Sequence, residues 1–124
     1  MSLGVYNPTY FKNHPEESQK EAILYCVVLV NKKTSERSCV KIGIAKGKDW
    51  RHVIKRAAGF KGYDLRTQKV VQGPLEEIYY LEQYLHELWS DYKYKSEWTF
   101  GGHTELFIIE KLKEILQSIP DKVE

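Results

Sequence analysis

The longest uninterrupted apolar run, Ile23-Leu24-Tyr25-Cys26-Val27-Val28-Leu29-Val30, is rich in β-branched residues and no longer than a strand, the pattern of a strand covered on both faces. Asn31 to Ser38 is wholly polar and reads as a hairpin loop, with Cys39 to Ala45 as the return strand. Gly47 to Asp49 then turns into a helix from about Asp49 to Ala58, with Asp49 as N-cap, and Gly59 and Gly62 break it. Leu65 to Val71 alternates as a third strand, stopped by Gly73-Pro74. From Leu75 to about Tyr92, the residues Ile78, Leu81, Leu85, Leu88 and Tyr92 recur at helical spacing. Trp98 to Phe100 reads as a short extended piece before Gly101-Gly102. Thr104 then caps a last helix whose stripe is Phe107, Ile108, Leu112, Ile115, Leu116 and Ile119, ended by Pro120. At the other end, Asn7-Pro8 and His14-Pro15 are turn signals, and Glu16 to Lys20 suits the first turn of a short helix after proline.

These elements predict an α/β chain of the α+β kind: a small three-stranded antiparallel sheet flanked by helices. An N-terminal arm and short helix occupy residues 1–22, and a single domain occupies 23–124. A length of 124 residues with 42% apolar and 13% aromatic content agrees with one compact core. Cys26 and Cys39 are the only cysteines, and no secretory h-region precedes them, so a disulfide framework is not expected. No apolar stretch approaches the roughly 18 residues that span a bilayer. The expectation is a soluble, cytoplasmic protein without membrane contact.

Charge changes the picture more than composition does. The formal net charge is only +2, but between Lys46 and Lys69 eight basic residues (Lys46, Lys48, Arg51, Lys55, Arg56, Lys61, Arg66, Lys69) face only Asp49 and Asp64. Such a run is by itself a solvated face. Here it coincides with Val-Lys-Ile-Gly-Ile-Ala-Lys-Gly-Lys-Asp-Trp-Arg over Val40 to Arg51, a strand with one bare glycine feeding a basic turn and a helix, which points to phosphate. Arg51 offers the planar fork that lysine lacks. Arg56, about 140 degrees further around a helix, is its rival, and only one of the two can face a site. Gly43, Lys46, Lys48, His52, Lys55 and Arg56 are the candidate substrate contacts. Glu82, four residues after Ile78 and three before Leu85, falls at the edge of its helix's apolar stripe, where a carboxylate wants a cation. His86, one turn on, either shares that cation or makes a structural contact, and the structural role is preferred.

The order of these elements and motifs resembles the GIY-YIG nuclease superfamily, in particular its phage and bacterial branch with Lys-Ile-Gly as the second half-motif. Ile23-Leu24-Tyr25 stands at the first half-motif and Lys41-Ile42-Gly43 at the second. Arg51 stands at the helical arginine and Leu81-Glu82-Gln83-Tyr84-Leu85-His86 at the segment of the metal-binding glutamate. Gly102-His103-Thr104-Glu105-Leu106-Phe107 is similar to a late signature of that branch. The wide interval between Tyr25 and Lys41 has room for inserted residues in the polar Asn31 to Ser38 loop.

The resemblance implies a metal-dependent endonuclease acting on DNA, with Tyr25, Lys41, Arg51 and Glu82 as catalytic residues. Glu82 would also be the ligand of Mg²⁺ or another divalent cation such as Mn²⁺. Taken alone, Tyr25 is a packing tyrosine; the resemblance implies that it helps to activate the attacking water, with Lys41 and the metal as its electropositive neighbours. Tyr25 and Lys41 must then share one face of the hairpin, for example with Tyr25 opposite Gly43 and Val27 opposite Lys41, leaving room over the glycine for substrate. The same parity places Cys26 and Cys39 on opposite faces. Two competing readings remain: a nucleic-acid-binding or regulatory module of the same fold without turnover, and a structural α/β protein in which these positions only pack or solvate. A homodimer or a separate specificity partner would supply sequence recognition.

Overall fold

A computed structural model describes residues 7–46, 62–94 and 106–123. Two short helices, α1 (Pro8–Asn13) and α2 (Pro15–Ser18), precede strands β1 (Glu21–Asn31), β2 (Arg37–Lys46) and β3 (Tyr63–Pro74). Helix α3 (Leu75–Leu88) follows directly, then strand β4 (Leu106–Ile108) and helix α4 (Leu112–Ser118). Each N-terminal helix begins on a proline, and the Asn7 side chain accepts the Tyr10 backbone N–H at 2.7 Å to cap α1. Phe11 of α1 is buried in the main core, edge-on to Tyr79 of α3.

The sheet is antiparallel throughout, in the order β3-β1-β2-β4. It has four strands where the sequence predicts three. Leu106 and Phe107, expected in a helix capped by Thr104, instead pair with Lys41 and Val40 on the outer edge of β2. Leu106 enters the core on one face and Phe107 on the other, the alternation of a strand. Two adjacent apolar residues fit either period, and the unpaired backbone edge of β2 decides between them. The last helix therefore starts at Leu112, after a single 3₁₀ turn over Ile109–Lys111. Helix α3 stops at Leu88, and another 3₁₀ turn covers Ser90–Tyr92 where the periodicity suggested more helix.

Strand β1 is central and buried on both faces, as its continuous apolar run predicts. Ala22, Leu24, Cys26, Val28 and Val30 meet Leu75, Ile78 and Leu85 of α3 and Ile115 of α4 on one face. Ile23, Tyr25, Val27 and Leu29, with Cys39, Ala45 and Leu106, form a second cluster on the other. Both cysteines are free and lie on opposite faces, as the parity of the register requires. The hairpin pairs as far as Val30 and Arg37, so the long interval between Tyr25 and Lys41 lies in extended strands and not in a large loop. Among the described residues no helix is long and apolar enough to cross a membrane. The predicted helix over Asp49 to Ala58 and the extended piece over Trp98 to Phe100 lie outside the described residues.

Candidate active site

The register places Tyr25 opposite Gly43 and Val27 opposite Lys41. Tyr25 and Lys41 are thus diagonal neighbours on one face, within reach of long side chains. The Lys41 ammonium donates to the Tyr25 phenol oxygen at 2.9 Å and lies 5.3 Å from the centre of its ring. The pair is withdrawn from water: Tyr25 is 4% exposed and Lys41 6%. An ammonium has donors only, so the phenol oxygen must accept from it, and the phenol's own O–H points away from Lys41.

Gly43 is bare for a reason other than the one expected. A Cβ at this position would lie 2.6 Å from the Tyr25 hydroxyl and 2.7 Å from its ring carbon Cζ. The space over the glycine, expected to receive substrate, is filled by the Tyr25 ring. Gly43 therefore acts by letting the tyrosine lie flat across β2 toward Lys41.

Strand β4 completes this neighbourhood, with Leu106 directly across from Lys41. The Tyr94 N–H donates to the Leu106 carbonyl at 2.9 Å, fastening the chain that leaves the 3₁₀ turn after α3 to this edge. Neither residue stands out in the sequence, because a three-residue strand on a sheet edge carries no period of its own.

Glu82 is 2% exposed. It continues the α3 stripe of Leu75, Ile78 and Leu85, in the body of that stripe and not at its edge. The Gln83 amide donates to its Oε1 at 3.3 Å, and its charge, second to burial, helps to raise the pKa of Tyr79 above the ordinary tyrosine range. The stripe packs on the sheet face opposite Tyr25 and Lys41, so the sheet lies between the carboxylate and the tyrosine–lysine pair. His86 takes the structural role: its Nε2–H donates to the Ile42 carbonyl at 3.1 Å, and its ring meets Phe107 edge-on. Burial lowers its pKa below the ordinary histidine value, so it is held neutral and ties α3 to β2.

Lys46, at the end of β2, binds Glu17 of α2 at 3.1 Å, and Lys69 binds the Ile119 carbonyl and Asp121. Each end of the basic run is thus engaged with another part of the chain, while Arg66 between them is exposed. Lys48, Arg51, His52, Lys55 and Arg56 lie outside the described residues, as do His103, Thr104 and Glu105. Among the described residues no group of three or more His, Cys, Asp and Glu side chains gathers as a metal cluster would. In donor type Glu82 suits a hard cation of the magnesium class, which needs one protein carboxylate when substrate oxygens and water supply the rest, but its buried place across the sheet does not fit a cation shared with Tyr25 and Lys41. No protein-family model, curated protein or solved structure matches this chain.

Proposed function

We propose that this protein is a GIY-YIG-like endonuclease that hydrolyses DNA phosphodiester bonds with a divalent cation such as Mg²⁺. The observation that carries the reading is the buried hydrogen bond from Lys41 to Tyr25 across the bare Gly43. A core that needed only packing would not place an ammonium and a phenol in contact there, since burying a charge is costly unless it is compensated. Lys41 orients the phenol, whose oxygen would take a proton from the attacking water as its own O–H proton, directed away from Lys41, passes to solvent. Arg51, within the basic segment, would neutralise the non-bridging oxygens of the scissile phosphate. A divalent cation at that phosphate would stabilise charge on the phosphoryl oxygens and the leaving group, and Glu82, across the sheet from Tyr25, is not placed to hold it there. Water oxygen bonds to phosphorus, the bond from phosphorus to the leaving sugar oxygen breaks, and that oxygen takes up a proton.

One observation favours the alternative, a DNA-binding or regulatory module without turnover. Glu82 is sealed in the helix–sheet interface on the face away from Tyr25. Nicking of supercoiled plasmid separates the two. Endonuclease activity predicts cutting with Mg²⁺ by the wild type, with losses of about a hundredfold or more in Tyr25→Phe and Lys41→Met. If all three proteins retard DNA and none cuts with Mg²⁺ or Mn²⁺, the binding module is the correct reading.

A further inference from the structure

Helix α3 has a second stripe that neither the core nor the proposed reaction uses. Tyr80, Tyr84 and Leu88 are all exposed, Tyr84 most of all at 58%. Their four-residue spacing sets them in one line about 12 Å long on the side of α3 turned away from the sheet. Three large apolar side chains in a row on one solvent-facing helix are a patch and not scattered exposure. Along α3 the charged neighbours of this line are acids, and a cation lies beyond its end, Lys111 over the Tyr92 ring at 4.7 Å. Helix α3 contains no lysine or arginine, Glu77 heads the line, and at 100 degrees per residue Glu76 and Glu87 run along one flank. Asp91 extends the acidic border into the following turn. Among the described residues none of these four carboxylates has an ion-pair partner.

We propose that this face of α3 docks a basic amphipathic helix from a partner protein, with apolar anchors at four-residue spacing and lysine or arginine beside them. The charge selects this occupant over two others. DNA is repelled by an aromatic line bordered with carboxylates. A second copy pairing antiparallel about Tyr84 would bring Glu77 opposite Asp91, like charge against like charge at both ends of a two-fold contact. A basic helix instead lays its apolar residues between Tyr80, Tyr84 and Leu88 and its cations against Glu76, Glu77 and Glu87, in the helix-on-helix mode of recognition. The proposal is independent of the nuclease reading, since no residue of this face belongs to the candidate active site.

Fluorescence anisotropy with a labelled model peptide of about 20 residues, long enough to be helical in water, tests it. The peptide carries leucines at four-residue spacing flanked by lysines, and its control has glutamate in place of lysine. The basic peptide is expected to bind and the acidic one not. Tyr84→Ala and the double variant Glu77→Lys/Glu87→Lys should each weaken binding about tenfold or more, while plasmid nicking or retardation by Tyr84→Ala stays as in the wild type. Equal affinity across the three proteins, or equal binding of the acidic peptide, overturns the proposal. So does a dimer in sedimentation that Tyr84→Ala dissolves, which would make a second copy the occupant, and so does a loss of DNA affinity in Tyr84→Ala. All these positions are on the surface, so the variants keep the core intact.

Discussion

At Gly43 the fold and the candidate chemistry depend on a single missing carbon. The Tyr25 ring lies where a Cβ would be, and Lys41 closes over it from the same strand. Both partners are buried, so neither can swing into solvent to make room. Gly43→Ala therefore overpacks the site and is expected to cost about 1–3 kcal/mol, read from chemical denaturation. The penalty should shrink in a Tyr25→Ala background, because the three atoms nearest to the added Cβ all belong to Tyr25. Additive effects of the two substitutions would show that Gly43 serves something other than the tyrosine.

Among the elements, the β1–β2 hairpin sets the geometry and its turn sets the register. The Asn31 side chain accepts the backbone N–H groups of Lys33 at 2.8 Å and Thr34 at 3.2 Å, an Asx-type turn that reverses the chain. Ser35 takes the left-handed conformation, with φ of 61°, to complete it. Asn31→Ala is expected to lower stability by about 1 kcal/mol, whereas Ser35→Gly, which relieves the left-handed strain, should not. Equal midpoints in urea for Asn31→Ala and wild type would refute the role of the turn. The turn residues were legible as a polar loop. The reach of pairing to Val30 and Arg37 was not, because Arg37 and Ser38 are polar residues on the solvent-facing end of a strand and look like loop. Strand β4 was equally hidden, for Leu106 and Phe107 become a strand only where the β2 edge offers them backbone partners.

For the molecule as a whole, the sheet separates two buried clusters, and each holds one cysteine. Burial pushes the thiols of Cys26 and Cys39 up to about 12 from an ordinary value of 9.0, against a small opposing pull from Lys69 on the first and a Ser38 hydrogen bond on the second. In the native state they stay protonated where the unfolded chain releases its protons. Their contribution is therefore constant below about pH 9 and is lost as the pH rises from 9 toward 12, at up to about 1.4 kcal/mol per thiol per pH unit. Wild type should lose stability more steeply over that range than a Cys26→Val/Cys39→Val variant. Neither thiol should react with a thiol reagent at pH 8 until the protein is unfolded. Rapid labelling of the native protein would show that one of the two faces is open.

Parity is a local property: once Tyr25 and Lys41 are required to share a face, the chain admits Tyr25 opposite Gly43 and puts the two cysteines on opposite faces, and the register has both. Helical spacing put Glu82 at the edge of its helix's apolar stripe, where the fold has it buried in the body of that stripe. Which face of the sheet that helix covers was not legible, since β1 offers apolar side chains of the same kind on both sides and favours neither. The tertiary packing settled it by laying α3 over Leu24, Cys26 and Val28, which puts a sheet between Glu82 and Tyr25. It also put the Tyr25 ring over Gly43 and a fourth strand beside Lys41. Each of these depends on contacts between segments distant in sequence, and no pattern along the chain encodes them.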